Sequence, residues 1–557
     1  MKLTLGIDFG SSASRALVLD IETGNILVTR STSYKKGENG VITDSDPHLA
    51  RQCADDYVEC MTTSIKGVVE WLKNEGIDPS NILGIGVDAT GSTPIPVNEQ
   101  MQPLSRLADF KDNKNAYAWM WKDHTSYKEA EEITRLAAEM RPQYLDTIGG
   151  IYSSEWYWAK LLHCQRVDPE LFKGSYSWVE FGDYVPALLA GIKDTNKVER
   201  NKCAAGHKGL YSETWGGFPD DEFLGKLSPE LVRIKNSLPE KAKAIDQACG
   251  TLCDEWAQEL GLKAGIPIAM GILDAHAGAI GSGVKKGGLV KIIGTSTCDL
   301  GIQPLDEMQG TISGVAGVAS ESVLPGYWGI EAGQSAVGDL FHWFVSQVLQ
   351  KDGSVHGELT EKAQQQQPGE AGLLGLDWNN GNRNVLTDPQ LSGLILGQSL
   401  LTKDFEIYRA LIESTAFGAR RIIEQMETQG VEVNEVVCCG GIPQKNKLFM
   451  QIYADVLNKQ MKIVAHEETV ALGAAMMGAY VALKAEGNTT SYEELQERCC
   501  KMKDVVYSPK VENAAIYNKL YALYKELHDS FGVKEHSQPL YHVMKELLKI
   551  KTETKTN

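Results

Sequence analysis

The run "LTLGID" (3–8) alternates, with Leu3, Leu5 and Ile7 apolar and Thr4 and Gly6 between them, then breaks at "FGSSAS". Period-two alternation ending in a Gly/Ser turn predicts a strand, and "RALVLDI" (15–21) predicts the strand that returns beside it. After "ETGN" a further strand-like run follows, so the start of the chain reads as a β-meander. The pattern comes back in "GLVKIIGTSTCDLGIQ" (288–303): an apolar strand, a Gly/Thr/Ser turn, a second strand. Two copies of one hairpin predict a duplicated fold whose halves face each other.

Between and beyond the hairpins the period changes. Residues 48–75 read as an amphipathic helix, and "NILGIGVDATGSTPIPVN" (81–98) as a strand followed by a loop. Residues 435–458 read as a strand, a double-glycine turn and a helix, with Leu448, Ile452 and Val456 on one face. "TVALGAAMMGAYVAL" (469–483) is so rich in small residues that a helix there can lie close to a neighbour. Strands alternating with helices make the class α/β. The domain boundary is expected near "KKGG" (285–288), dividing 1–285 from 286–557. The charged tail from about residue 534 reads as a surface helix with a frayed end.

A chain of 557 residues is too long for one hydrophobic core, which supports two domains. Net charge is −18 and the pI near 5.2. A broad basic surface for nucleic acid or anionic lipid is therefore not expected, though a local basic pocket for a phosphate is allowed. No window holds about 18 uninterrupted apolar residues, and "MKLTLGIDFG" lacks a signal-peptide core, so no membrane partner is expected. The 11 cysteines include the adjacent pairs Cys438–Cys439 and Cys499–Cys500, which bridge poorly, and no C-x-x-C spacing occurs. Reduced thiols in a cytoplasmic protein is the reading.

Three turns carry candidate chemistry: Gly10-Ser11-Ser12, Gly294-Thr295-Ser296 and Gly440-Gly441, each after an apolar strand. Exposed backbone N–H groups and hydroxyls in such turns can cradle phosphate. Each alone reads as an ordinary turn, whereas three in order, two of them on matching hairpins, point to phosphate; none is a P-loop. Asp8, ending the first strand, suits Mg²⁺ or caps its own turn. Arg15 pairs with phosphate or with a neighbouring carboxylate. Asp274 stands in "MGILDAHAGAIGSG" (270–283), a run of small and apolar residues. A carboxylate there is a general base for phosphoryl transfer to a hydroxyl, or a satisfied core acid or helix cap. His276 reads as structural.

"GIDFGSSASRAL", "GILDAHAGA", "IIGTSTC" and "GGIPQKNKLFMQIYADVL" occur in the order seen in the FGGY carbohydrate kinases, and residues 3 to 530 resemble that family. The segments 86–97, 121–133 and 326–344 resemble its L-ribulose-phosphorylating members more narrowly. The resemblance implies an actin-like ATPase (ribonuclease H-like) duplicated fold, two domains around a central cleft. It implies ATP and Mg²⁺ as cofactors, ADP as product, and L-ribulose or a related ketopentose as partner, in L-arabinose catabolism. A homodimer is compatible with it.

Position by position, it makes Asp274 the base that deprotonates the sugar and Asp8 the acid near the metal. It makes Gly10, Ser11, Ser12 and Arg15 the first phosphate turn, with Gly294 and Thr295 the second. Gly333, Gly441 and Asn446 then touch nucleotide, while Gly91, Lys208, Glu331 and Asp274 hold the sugar. Lys208 and Glu331 are expected in loops of small residues, where a sugar would find charged donors and acceptors. Ser11-Ser12 replaces the threonines of many relatives, and Val337 stands where some have a polar nucleotide contact. Competing readings are a kinase of D-ribulose, ribitol or xylulose, an actin/Hsp70-like ATPase switch, and a non-catalytic sugar sensor.

Overall fold

The computed structural model describes residues 1–536 together with Leu540 and Tyr541, so the helix expected from about residue 534 lies almost wholly outside the described residues. Both expected hairpins form. Leu3–Phe9 runs antiparallel to Ala13–Asp20, and Gly287–Ile293 runs antiparallel to Thr297–Pro304. On its other side each first strand takes a parallel partner, Ile82–Ala89 in one half and Val433–Cys439 in the other. The N-terminal sheet has the order Asn25–Ser33, Ala13–Asp20, Leu3–Phe9, Ile82–Ala89, Pro267–Ala269, Ala248–Thr251, and Ile272–Leu273 also pairs with Ile82–Ala89. The C-terminal sheet has the order Gly317–Ser320, Tyr327–Ala332, Thr297–Pro304, Gly287–Ile293, Val433–Cys439, Gln460–Val464, Met502–Tyr507. This is the duplicated α/β fold of the actin-like ATPases, two mixed sheets around a cleft.

The helix expected over 48–75 is Ala54–Asn74. Arg51 and Gln52 form a short strand against Ala118–Trp119 instead. Arg51 is buried, paired with Asp123, and its guanidinium lies 3.4 Å over the Trp119 ring. That long-range anchor holds the segment extended. The run 435–458 forms as Val433–Cys439, a short helix Gly441–Lys445 and Lys447–Leu457, with Leu448, Ile452 and Val456 buried.

Thr469–Ala485 shows what its small residues are for. Although it follows the C-terminal strands, this helix packs on strands Leu3–Phe9 and Ile82–Ala89 and on helix Asp274–Gly281. A Cβ on Gly6 would stand 2.2 Å from the Ala471 carbonyl oxygen, and one on Gly86 1.8 Å from that of Ala474. Gly473 in turn would meet the Ala277 oxygen at 1.9 Å. Backbone faces backbone, so nothing flexible can yield. Replacing Gly86 by Ala is expected to destabilise the protein by about 1–3 kcal/mol or more, read as a lower denaturant midpoint at unchanged slope. The apolar cluster around this helix includes Leu17, Ile280, Val290, Leu300 and Met476, drawn from both halves. No helix among the described residues is long and apolar enough to cross a membrane.

Candidate active site

Turns at strand ends can leave backbone groups free for a ligand, and the three glycine turns each follow a central strand of one of the two sheets. In the first turn the Gly10 N–H donates to the Ala13 carbonyl at 3.0 Å. Ser11 is held from both sides: its Oγ accepts from the Trp121 indole at 3.0 Å and its carbonyl from Gln52 at 2.9 Å. Ser12 is exposed. In the second turn the Gly294 N–H donates to Ser296 O at 2.9 Å, and Gly294 and Thr295 are exposed. The Val337 N–H closes on the Thr295 carbonyl at 2.8 Å, while the Val337 side chain is buried in the C-terminal core. Val337 therefore offers a bound base no surface.

Gly440 and Gly441 are exposed at the end of the neighbouring strand. Gly440 has φ 101°, and a Cβ there would lie 2.1 Å from the Ile293 oxygen. A Cβ on Gly333 would lie 2.0 Å from the Thr297 oxygen. Residues 294–295, 333 and 440–441 thus gather at one end of the interior strands of the C-terminal sheet. Asn446 caps helix Lys447–Leu457, its Oδ1 accepting from the Phe449 N–H at 3.0 Å.

Acids line the N-terminal side. Asp8 is buried, opposite Arg15 on one neighbouring strand and Asp88 on the other. Arg15 donates to Asp8 at 2.7 Å and lies 3.7 Å from Glu468, so it pairs with neighbouring carboxylates here. Asp88 is wholly buried and no donor among the described residues reaches either oxygen. Burial, with the charges of Asp8 and Asp274 added, pushes its carboxyl well above the usual range. Sequence reasoning missed Asp88, although the signal that singled out Asp274, an acid inside an apolar run, was present in "ILGIGVDA".

Asp274 begins helix Asp274–Gly281, open to solvent on one side, with its Oδ1 accepting from the Ala275 N–H at 2.7 Å. Burial on the remaining sides pushes its carboxyl up to about 7, against that hydrogen bond, and Asp8 and Glu331 add to the rise. Gly91 abuts the residue before it: a Cβ there would stand 2.0 Å from the Leu273 Cδ2. The loop carrying Gly91 is held by two buried charges that sequence reasoning also missed. Glu180 accepts from the Thr93 N–H at 2.8 Å, and Lys160 donates to the Ser92 carbonyl at 2.7 Å.

Lys208 and Glu331 are not in loops as expected. Lys208 ends helix Lys202–Lys208, which Asn201 starts by accepting from the Ala204 N–H, and Glu331 lies on strand Tyr327–Ala332, paired on both sides. The ammonium reaches both Glu331 oxygens at 3.0 Å, bridging the two halves of the molecule. Against the cost of burial, the charge of Lys208 holds the Glu331 carboxyl well below the usual range.

Residues 3–281 match the N-terminal domain of the FGGY family of carbohydrate kinases, and residues 289–482 its C-terminal domain. The chain belongs to that family. It is an ATP-dependent phosphotransferase in consequence, and the family generically uses ATP and Mg²⁺. Among its relatives is a ribulokinase of Halalkalibacterium halodurans, 40% identical over 95% of each chain. Another is a ribulokinase of Geobacillus thermodenitrificans, 39% identical over 96% of this chain and 95% of the relative. Solved structures with the same fold include a xylulose kinase from Rhodospirillum rubrum (TM-score 0.76, 18% identity, 95% of this chain and 99% of that one). A Plasmodium falciparum glycerol kinase with ADP has the same TM-score, 0.76, at 18% identity, over 95% of this chain and 98% of that one.

Proposed function

We propose that this kinase phosphorylates L-ribulose, giving L-ribulose 5-phosphate and ADP. The observation that carries the reading is Asp274: a carboxyl near neutrality, open to the cleft, between the acid pair at Asp8 and the Lys208–Glu331 pair. A carboxyl poised near 7 is matched to removing a proton from a hydroxyl at neutral pH. The sugar oxygen gives its proton to Asp274 as it attacks the γ-phosphorus, and ADP departs on the opposite side. Lys208 donates to sugar oxygens and Glu331 accepts from sugar hydroxyls, which fixes the acceptor against the base. Gly91 permits close approach at the same wall. Backbone N–H groups of the turns at 10–12 and 294–295 hold the phosphates, with Gly333 and Gly441 beside the nucleotide.

Asp8 fits Mg²⁺ as a strand-end carboxylate, with the oxygens of Asp88 opposite it on the next strand and lacking any donor among the described residues. Asp8 and Asp88 would hold Mg²⁺ there, and the ion would supply neutralisation of phosphate charge. Arg15 holds Asp8 in place through their pair. The eleven free cysteines suit a reducing compartment, and we place the enzyme in the cytoplasm.

The choice of L-ribulose rests on the ribulokinases that match nearly end to end, at 36–40% identity. Initial rates with Mg-ATP and L-ribulose, D-ribulose, xylulose and ribitol test it. L-Ribulose is expected to give the highest kcat/KM. A higher value for another acceptor moves the assignment to that sugar, and equal ATP turnover without any sugar would turn it to an ATPase switch.

A further inference from the structure

Behind the Lys208–Glu331 pair lie Cys203, His207 and His276, three buried side chains with no part in phosphoryl transfer. Their ligand atoms all lie within 4.8 Å of one another. Cys203 and His207 are four apart on helix Lys202–Lys208 and so share a face, while His276 reaches in from helix Asp274–Gly281.

The hydrogen bonds around them decide where the lone pairs point. Ser322 Oγ donates to the Ala319 carbonyl at 3.0 Å, so at 2.9 Å from His207 Nε2 it accepts that ring's proton. His207 therefore presents a bare Nδ1 to Glu331 Oε2 at 3.7 Å. His276 Nε2 stands 3.7 Å from the same oxygen. Neither contact is a hydrogen bond. His207 Nδ1 and both His276 nitrogens have no partner in the protein. A buried imidazole nitrogen without a partner is costly, and a cation bound here would give these atoms one.

The spacing suits a small tetrahedral ion. Zinc bonds of about 2.0–2.2 Å to nitrogen and oxygen put neighbouring ligands roughly 3.4 Å apart. Each imidazole stands 3.7 Å from Glu331, and the other three ligand atoms lie within 4.8 Å of one another, so small side-chain shifts would complete the set. Thiol, imidazole and carboxylate together select zinc-like ions over Mg²⁺. We propose that Cys203, His207, His276 and Glu331 form a binding site for a thiophilic divalent cation such as Zn²⁺, which closes the sugar subsite by taking Glu331 from Lys208. The closing of the subsite rests on the sugar-binding role proposed for Glu331; the metal site does not. Burial keeps both imidazoles neutral and ready to bind, His276 down to about 4. It also raises the Cys203 thiol, so binding releases one proton to solvent and tightens about tenfold per pH unit near neutrality.

Co²⁺ added to metal-stripped, full-length protein in excess Mg²⁺ is the test. The expected result is one equivalent bound, with a thiolate-to-cobalt band in the near ultraviolet and intense tetrahedral visible bands, both bleached by Zn²⁺. Cys203→Ser should lose the thiolate band and bind at least tenfold more weakly, with its metal-free kinase activity unchanged. Absence of the thiolate band in the wild type overturns the site, as does an identical spectrum in Cys203→Ser. Should that variant not fold, the wild-type spectrum alone decides. Zn²⁺ should also raise the KM for L-ribulose at unchanged kcat. A thiolate band without that rise would uphold the metal site and overturn the closing of the subsite.

Discussion

Asp274→Asn is expected to lower kcat by about 10²–10⁴-fold while sugar affinity changes little, since the amide keeps the shape and loses only the base. The wild type provides an independent reading of the same group. Because its pKa is raised to about 7, the carboxylate fraction grows with pH across that value and the protonated form below it cannot act as base. The kcat/KM for sugar should therefore fall about tenfold per pH unit below neutrality and level off above it. In Asp274→Asn that limb should vanish from the residual rate. Near-normal turnover in the variant would remove Asp274 from the mechanism. A limb that survives the substitution would assign the titration to another acid, with Asp88 the first to test.

Glu331→Gln is expected to raise the KM for sugar by about ten- to a hundredfold and leave that for ATP nearly unchanged. A hydrogen bond to a charged group is worth about 1.5–3 kcal/mol, and about 1.4 kcal/mol is a factor of ten. The substitution also strips the buried Lys208 of its counter-charge, and breaking one side of such a pair costs stability. A thermal melt separates the two effects, and the double variant with Lys208→Met sharpens the distinction. If Glu331 serves only to neutralise Lys208, the double variant should recover sugar affinity. If both touch the sugar, the double variant should bind it worse than either single one. Equal weakening of sugar and ATP would mean that the pair acts on the fold rather than on the acceptor.

Local pattern was enough for the two hairpins, the three glycine turns and the place of Asp8 and Asp274 at strand and helix ends. Strand alternation, turn chemistry and an acid stranded in apolar sequence are all properties of a few neighbouring residues. The repeat of one hairpin pattern was enough to expect duplication, and the two sheets carry it in matching order. What pattern left open depends on partners far along the chain. Arg51 is held extended by Asp123 and Trp119, so a helix expected from residue 48 begins at Ala54. Lys208 meets Glu331 across 123 positions, and nothing near either residue says so. The destination of Thr469–Ala485 was equally hidden: its composition announces a close neighbour, but only the glycines at 6 and 86 identify that neighbour as the opposite half's sheet. Asp88, hidden among apolar residues as Asp274 is, becomes a site residue only because strand register sets it beside Asp8. Periodicity and turn chemistry act within a few residues of sequence, whereas desolvation and charge act through space. The placement of charges around the cleft was therefore decided by the tertiary structure.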